Sequence, residues 1–154
     1  MIEWSDSMLL YHGSYCVVQN PILNKCSPHK DFGRGFYLTT SKPQAESFIL
    51  SAVKKAVRLG MISENPGYGY ITTYRFRAAS ALKILEYESA DMQWLRCIAA
   101  HRKSDTFPHI RKELSQYDVI AGKIANDQTN ATLTAYLAEL YGKPGVQRSN
   151  MVYT

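Results

Sequence analysis

The chain has 154 residues, 45% of them hydrophobic and 20% charged, and these values suit one globular domain that buries its own core. This length excludes a dinucleotide-binding domain followed by a separate substrate domain, so any cofactor must share its cleft with the second substrate. The formal net charge of +5 favours anionic ligands such as nucleotides, nucleic acid or an acidic partner, although solvated surface charge explains it equally well.

Three cysteines, Cys16, Cys26 and Cys97, form no Cys-x-x-Cys pair, which predicts free thiols in a reducing cytosol. Together with His29, the first two match no zinc spacing, so we expect no metal site. The N-terminus lacks the basic stretch and apolar run of a signal peptide, and no segment approaches the ~20 apolar residues of a membrane span. We therefore expect a soluble, cytoplasmic protein that does not associate with membranes.

In the first half of the chain, residues 8–11 predict a short buried strand that ends in the His-Gly-Ser turn of residues 12–14. A polar loop follows at 19–33. Residues 36–40 are aromatic and β-branched and predict a second strand. Residues 41–60 predict a helix, because they open on a capping box with proline in the first turn, repeat apolar residues at helical spacing and close on a glycine.

The second half of the chain alternates strand and helix signals without the regular spacing of a doubly wound sheet. The predicted elements are a turn at 65–67, a strand at 70–76, an ambiguous segment at 81–87 that fits a short strand, a helix at 91–101, a strand at 117–125 and a helix at 131–141. Because strands and helices are interspersed but form no repeated βαβ units, the predicted fold class is α+β.

The first segment with residues suited to chemistry is His12-Gly13-Ser14. A glycine at a strand end lets a ligand approach the backbone closely, and the neighbouring imidazole can hold a hydroxyl group. A structural histidine beside a turn glycine explains the same residues, so this tripeptide alone decides nothing.

The second segment, residues 31–40, places glycines on both sides of Arg34 and continues into a strand with Tyr37. The glycine spacing is not G-x-G-x-x-G and no strand-to-helix turn follows, which excludes a Rossmann dinucleotide site. Two interpretations remain: a Gly-Arg-Gly turn that contacts a ligand, or a tight turn beside a core tyrosine.

The third segment, residues 117–122, places Asp118 directly before an apolar strand, and Asp127 follows that strand. Aspartate is disfavoured in strands. Asp118 is therefore either a functional acid or a strand-edge residue beside solvent.

In their order and spacing, Tyr11-His-Gly-Ser14, Phe32-Gly-Arg-Gly-Phe-Tyr-Leu38 and Ser41-Lys42 resemble the poly(ADP-ribose) polymerase branch of the ADP-ribosyltransferases. That branch carries His-Gly-Ser or His-Gly-Thr on its first core strand, Phe-Gly-x-Gly-Ile-Tyr-Phe before a helix with Ser-Lys, and a catalytic Glu on a later strand. The chain is also similar to a compact bacterial family of uncharacterised domains with Tyr-His-Gly-Ser, Asp-Phe-Gly-x-Gly-Phe-Tyr-Leu-Thr and a late Tyr-Asp-x-x-x-Gly stretch. The resemblance spans roughly residues 9–127. It implies one ADP-ribosyltransferase-like domain over residues 1–154, a split β-sandwich with flanking helices, and NAD as co-substrate.

The resemblance also implies how NAD is held. Gly13 pairs through its backbone with the nicotinamide carboxamide, His12 holds a ribose hydroxyl, and Tyr37 packs on the nicotinamide ring. The other NAD-binding positions that it implies are Ser14, Arg34 toward the pyrophosphate, Gly35, Gln44 or Ser41 at the carboxamide, and Phe48 as a second stacking aromatic.

The catalytic acid is where this chain departs from the family. The family's Glu aligns best with Asp118, whose side chain is one methylene shorter, and Asp127 is the second candidate. The catalytic set is thus His12, Tyr37 and one of the two aspartates, which we expect to face one cleft between two small sheets. No metal is needed, because aromatic stacking holds the nicotinamide and an acid stabilises the cation-like ribose or aligns the attacking group.

These inferences predict mono-ADP-ribosylation of a macromolecule, protein or nucleic acid, by a bacterial toxin or defence effector with an antitoxin partner. Two alternatives stay open. The first is a non-enzymatic member of the fold that binds NAD or another nucleotide. The second is a small basic nuclease or RNA-binding module, which the net charge and eleven tyrosines favour but the lack of a dense Lys/Arg run disfavours.

Overall fold

The computed structural model describes residues 2–27, 30–102 and 107–125, and this part of the chain is a mixture of helices and small sheets, which confirms the α+β class. Its contacts divide into two compact units. The ribbon unit comprises Ile2–Lys25 and Phe36–Ser80, and the Trp94 unit comprises Cys26–Gly35 and the described residues from Ala81 onward. The split β-sandwich and the single domain of residues 1–154 stay predictions.

The ribbon unit is built on two antiparallel strands, β1 (Leu9–Ser14) and β2 (Tyr70–Arg75). Their register runs from Leu9 opposite Arg75 to Ser14 opposite Tyr70 without interruption. A strand lies at residues 9–11 as predicted, but it is not buried, because Leu9 is exposed and Leu10 and Tyr11 are half-buried. The strand also continues through His12, Gly13 and Ser14 instead of turning there. The reason is the partner strand, since a ladder with β2 satisfies backbone groups that a turn would otherwise have to satisfy.

Helix α1 (Lys42–Arg58) begins directly after its cap Ser41, as the capping box predicts, and covers one face of this ribbon. The Ser41 side chain accepts a hydrogen bond of 3.3 Å from the Gln44 N–H, which satisfies one of the free donors of the first turn. The buried face carries Ala45, Val53 and Ala56. The helix ends before Gly60, whose φ of +73° is the left-handed conformation that terminates many helices.

The predicted strand at residues 36–40 is reduced to a single bridge, in which Thr39 exchanges backbone hydrogen bonds of 2.8 and 2.9 Å with Tyr11. Side chains explain why the pairing stops. The Thr39 hydroxyl accepts from the Ser41 N–H at 3.1 Å, so the chain turns into α1 immediately after the bridge. Before the bridge, the Tyr37 carbonyl is bonded to the His12 ring rather than to a strand.

The Trp94 unit contains a parallel pair, β3 (Ile84–Glu86) with β4 (Val119–Ala121), joined through helices α2 (Met92–Arg102) and α3 (Pro108–Leu114). Strands are present within both predicted segments, 81–87 and 117–125, but each has only three residues, and α2 matches the helix predicted at 91–101. Asp91 caps α2 by accepting from the Trp94 N–H at 3.0 Å. The core cluster of this unit consists of Ala90, Trp94, Leu95, Ile98 and Ala99.

Helix α3 was not predicted, because seven residues with two turns of helix carry too little periodicity to stand out from loop. The helix predicted at 131–141 lies outside the described residues. Over residues 2–27, 30–102 and 107–125, no helix combines the length and apolar character that a membrane crossing requires.

Candidate functional site

His12 lies in the middle of β1, and a side-chain contact fixes its ring. Its Nδ1 is 2.8 Å from the Tyr37 carbonyl oxygen. A carbonyl oxygen only accepts hydrogen bonds, so Nδ1 carries the proton and donates it. The imidazole is also packed against the Phe36 ring, with 4.4 Å between the ring centroids. The structure thus brings the His-Gly-Ser segment and the Phe-Tyr segment, 25 residues apart in the chain, into direct contact.

Gly13 faces α1 with its Cα. A Cβ at this position would overlap the Ala45 carbonyl oxygen, would lie 2.9 Å from the Ala45 carbonyl carbon and 3.2 Å from Ile49 Cγ1. The missing side chain therefore lets the helix backbone approach the strand. This is a structural reason for the glycine that the sequence did not predict.

The backbone of Gly13 faces a different direction. Because alternate residues of a strand present their N–H and C=O groups to the same edge, Gly13 presents them to the edge where Tyr11 pairs with Thr39. That pairing is an isolated bridge and is not extended to Gly13. One donor and one acceptor of Gly13 thus point together toward the edge of β1 that lies opposite β2.

Ser14, the next residue, is one of two buried polar residues among those described and is 8% exposed. It lies opposite Tyr70 on the ribbon face that carries His12. Ser14 is therefore less accessible than the neighbouring His12, which is half-buried.

At the start of α1, the Gln44 side chain is held by the strand bridge. Its Oε1 accepts a hydrogen bond of 2.6 Å from the Thr39 hydroxyl. The amide is half-buried, and Ser41 is occupied as the helix cap. Phe48, one turn further along α1, is 38% exposed, so it is not part of the core that Ala45 and Val53 form.

Arg34 and Gly35 belong to the Trp94 unit. The Arg34 guanidinium is exposed and donates from Nη1 to the Cys26 carbonyl at 2.8 Å, which closes the loop that precedes the glycines. Gly33 has a φ of +86°, and a Cβ there would lie 2.6 Å from His101 Cδ2, so both conformation and space require glycine.

Asp31, at the start of the same segment, was not among the predicted site residues. It is 7% exposed, and its Oδ1 accepts from Arg102 Nε at 2.7 Å in an ion pair. Its Oδ2 accepts from the Ala125 N–H, also at 2.7 Å. One buried carboxylate thus ties together the Gly-Arg-Gly segment, the end of α2 and the chain after β4. An acidic residue beside the glycines is the signal that could have identified Asp31, but its partners lie 71 and 94 residues away in the chain.

Asp118, the preferred acid, lies directly before β4 in the Trp94 unit and is exposed. Its Oδ2 accepts from the Lys83 N–H at 2.9 Å, and its own N–H donates to the Lys83 carbonyl at 2.8 Å. The carboxylate therefore extends the β3–β4 pairing by one residue. Asp127 lies outside the described residues, and the expectation that an acid shares one cleft with His12 stays a prediction.

The Trp94 unit also contains a cluster of the buried Cys97 with the half-buried Tyr87 and His101. Burial raises the pKa of the Cys97 thiol to about 11 and raises the pKa of Tyr87. Burial lowers the pKa of His101, whose Nδ1 donates to the Cys97 carbonyl at 2.9 Å. A thiol with such a high pKa is a poor nucleophile at neutral pH. Among the residues described, no group of three or more His, Cys, Asp or Glu side chains could hold a metal ion.

Two aromatic residues that the sequence did not single out lie beside His12: Tyr74 on the same face of the ribbon, and Phe36 packed against it. The Tyr74 ring meets the Phe36 ring edge-on with 5.5 Å between centroids, and its hydroxyl donates to the Val18 carbonyl. Partial burial raises the pKa of Tyr74, which keeps that hydroxyl protonated as a donor. The strand period of two, with His12 opposite Thr72, is the signal that places Tyr74 on the histidine face.

A family model described as Protein of unknown function (DUF3990) matches residues 8–151 of the chain. No curated protein and no solved structure matches it.

Proposed function

The chain belongs to the family described as Protein of unknown function (DUF3990), and we propose that it is a NAD-dependent mono-ADP-ribosyltransferase that modifies a macromolecular acceptor. The observation that carries the proposal is the 2.8 Å contact between His12 Nδ1 and the Tyr37 carbonyl. It joins the two segments on which the resemblance to the ADP-ribosyltransferases rests, and these are the segments that the resemblance assigns to the nicotinamide and its ribose.

The backbone edge of Gly13 supports the same site. A carboxamide offers one acceptor oxygen and an NH₂ donor side by side, and Gly13 offers an N–H and a C=O at one edge of β1. Two such hydrogen bonds fix the orientation of a nicotinamide ring. Tyr37, which follows the Phe36 ring beside His12, supplies the aromatic surface that the resemblance assigns to stacking.

The proposed reaction breaks the bond between C1′ of the ribose and the nicotinamide nitrogen. Nicotinamide leaves as a neutral molecule with the electron pair of that bond, and positive charge develops on the ribose. A nucleophilic atom of the acceptor forms the new bond to C1′ and loses its proton to a base or to water. The carboxylate of Asp118 or Asp127 would stabilise the developing charge or align the nucleophile.

The test of the proposal uses the full chain, a cell lysate and NAD labelled on the adenylate phosphate. We expect label to become attached to macromolecules while free nicotinamide is released, and digestion with protease or nuclease identifies the acceptor class. The His12→Gln variant, which keeps a polar side chain, should lose most of this transfer. Failure of the unaltered protein to bind NAD or to release nicotinamide contradicts the proposal.

The catalytic acid is tested with Asp118→Asn and Asp127→Asn, made separately. An acid that acts in the transition state affects turnover far more than NAD affinity. We expect Asp118→Asn to lose nicotinamide release and retain NAD binding. Because asparagine keeps an oxygen for the Lys83 N–H, the fold should tolerate this change. Asp91→Asn, which alters another exposed aspartate of the Trp94 unit, is the matched control. If only Asp127→Asn loses release, the alignment of this strand is wrong.

The second candidate function is NAD or nucleotide binding without turnover. The observation that favours it is the Asp118 carboxylate, which already bonds the Lys83 N–H and is one methylene shorter than the acid of the family. NAD binding with no nicotinamide release, in the unaltered protein and in both aspartate variants, would establish this alternative. A role as toxin or defence effector with an antitoxin partner predicts that expression slows bacterial growth and that His12→Gln relieves the effect.

A further inference from the structure

The ribbon face that carries His12 contains an unbroken series of contacts that ends on its imidazole. The register places Thr72 opposite His12 and Tyr74 opposite Leu10, so both β2 residues share the face of His12. The Tyr74 hydroxyl donates to the Val18 carbonyl, and the Val18 N–H donates to the Thr72 hydroxyl at 3.2 Å. Tyr74 is thus fixed at both its ring and its hydroxyl.

Phe36 connects this tyrosine to the histidine. Its ring is edge-on to Tyr74 at 5.5 Å and 80°, and it covers the His12 ring at 4.4 Å and 37°. Aromatic contacts of this kind restrict the rotation of both partners. The imidazole has two rotatable bonds, and the Phe36 contact and the Nδ1 hydrogen bond to the Tyr37 carbonyl together select one orientation of its plane.

A hydrogen bond to a carbonyl also selects a tautomer. A neutral imidazole carries its proton on one nitrogen only, and the bond to Tyr37 holds it at Nδ1. If Phe36 were removed, the ring could rotate away from the carbonyl, and the preference for Nδ1–H would weaken. Which ring nitrogen of His12 carries the proton therefore depends on the residues packed behind the ring.

We propose that Tyr74, acting through Phe36, is a positioning residue for His12. It holds the imidazole in the Nδ1–H form and in the plane that the bond to Tyr37 requires. Its importance for turnover rests on the proposed transferase function, whereas its effect on the His12 ring does not. Neither residue belongs to the set that the resemblance implies.

The experiment measures the His12 ring nitrogens by ¹⁵N NMR in the full chain without ligand, with the signals assigned by their loss in His12→Gln. We expect the Nδ1–H form to dominate in the unaltered protein. Phe36→Leu and Tyr74→Leu should each reduce the fraction of that form, and Tyr74→Phe, which removes only the hydroxyl, should have a smaller effect. Tyr11→Leu is the matched control, because Tyr11 is equally half-buried and adjacent in sequence but lies on the α1 face.

Kinetics form the second measurement. Loss of aromatic packing behind the histidine should raise KM for NAD by about threefold to tenfold, as expected for one lost ring contact, with a smaller change in kcat. Tyr11→Leu should leave KM and the His12 signals unchanged even where it lowers the melting temperature. Equal effects of Tyr11→Leu and Tyr74→Leu on the His12 signals would show a merely structural role and overturn the proposal.

The NMR signals test the positioning of His12, and the kinetics test the proposed transferase function. A dominant Nε2–H form in the unaltered protein, or His12 signals that are unchanged in either Phe36→Leu or Tyr74→Leu, overturns the positioning proposal even if NAD is turned over. Signals that shift as expected in a protein without NAD activity support the positioning and contradict the proposed function. Tyr74→Phe keeps the ring and guards against a variant that fails to fold.

Discussion

Replacing Gly13 with alanine tests whether helix packing or a ligand requires the glycine. The new Cβ would lie 2.9 Å from the Ala45 carbonyl carbon and inside contact distance of the carbonyl oxygen. Carbon atoms in contact normally lie about 3.5–4.0 Å apart, so α1 would have to move away by roughly 0.6 Å or more. Backbone cannot rotate out of the way as a side chain can. We therefore expect a loss near the upper end of the overpacking range, about 3 kcal/mol.

Urea denaturation and thermal melting measure this loss. For a chain of this size, about 3 kcal/mol corresponds to a fall in melting temperature of roughly 6–12 °C. Gly67→Ala is the control, because Gly67 has a φ of +80° but no atom within 4 Å of its added Cβ, so only backbone strain of about 1 kcal/mol is expected. If Gly13→Ala melts like the unaltered protein and loses only NAD binding, α1 does not require the glycine and our packing argument is wrong.

Three further predictions concern other residues. Asp31→Asn should lower the free energy of unfolding by about 2 kcal/mol, less than for a fully buried pair because the Arg102 side chain is 29% exposed. In urea denaturation, a loss no larger than that of the exposed control Asp6→Asn would contradict the buried pairing. Phe48→Ala should cost at most about 1 kcal/mol, far below the cost for a core phenylalanine, and should weaken NAD binding measured by calorimetry; unchanged affinity would remove Phe48 from the site. Burial raises the Cys97 pKa from 9.0 to about 11, so between these pH values only the unfolded thiol ionises and stability should fall as pH rises, by up to about 1 kcal/mol per pH unit. Cys97→Ala should lose this component in urea titrations at pH 8–11, and an identical pH slope in both proteins would refute it.

Local signals predicted the parts of the fold that local physics determines. The cap at Ser41 and the apolar spacing of the following residues act within one helix, and α1 begins where they place it. The pattern of alternation from Tyr70 likewise gave β2 to within one residue. The interactions that start α1 lie among residues close in sequence, whereas β2 is stabilised by its pairing with the distant β1 and only its side-chain alternation is a local signal.

Long-range pairing explains what the sequence could not provide. His12 was assigned to a turn because its pairing with Thr72 is sixty residues away in the chain. Residues 36–40 have the composition of a strand, but the Thr39 hydroxyl and the Ser41 cap turn the chain into α1 after one bridge. The composition of residues 36–40 is compatible with strand pairing, but the hydrogen bonds of neighbouring side chains limit that pairing to one bridge.

In the candidate site, too, local signals identified some residues and long-range contacts concealed others. The residue types of His12, Gly13 and Tyr37 were sufficient to propose a site, and in the structure the His12 ring donates a hydrogen bond to the Tyr37 carbonyl. Phe36 and Tyr74 do not stand out in the sequence, because aromatic residues with apolar neighbours are expected in any core. The buried pairing of Asp31 was equally invisible, since neither Arg102 nor Ala125 is near it in the chain.

The pairing of β1 with β2 has a consequence for synthesis of the protein on the ribosome. The histidine strand is finished at Ser14, but its partner is complete only at Arg75, 61 residues later (75 − 14). At roughly 5–20 residues per second, the nascent strand waits about 3–12 s for its partner. A chain that stops before Tyr70 contains every residue of the His-Gly-Ser and Phe-Tyr segments yet lacks the strand that holds β1. Truncated products of translation should therefore be unable to assemble the ribbon that carries His12.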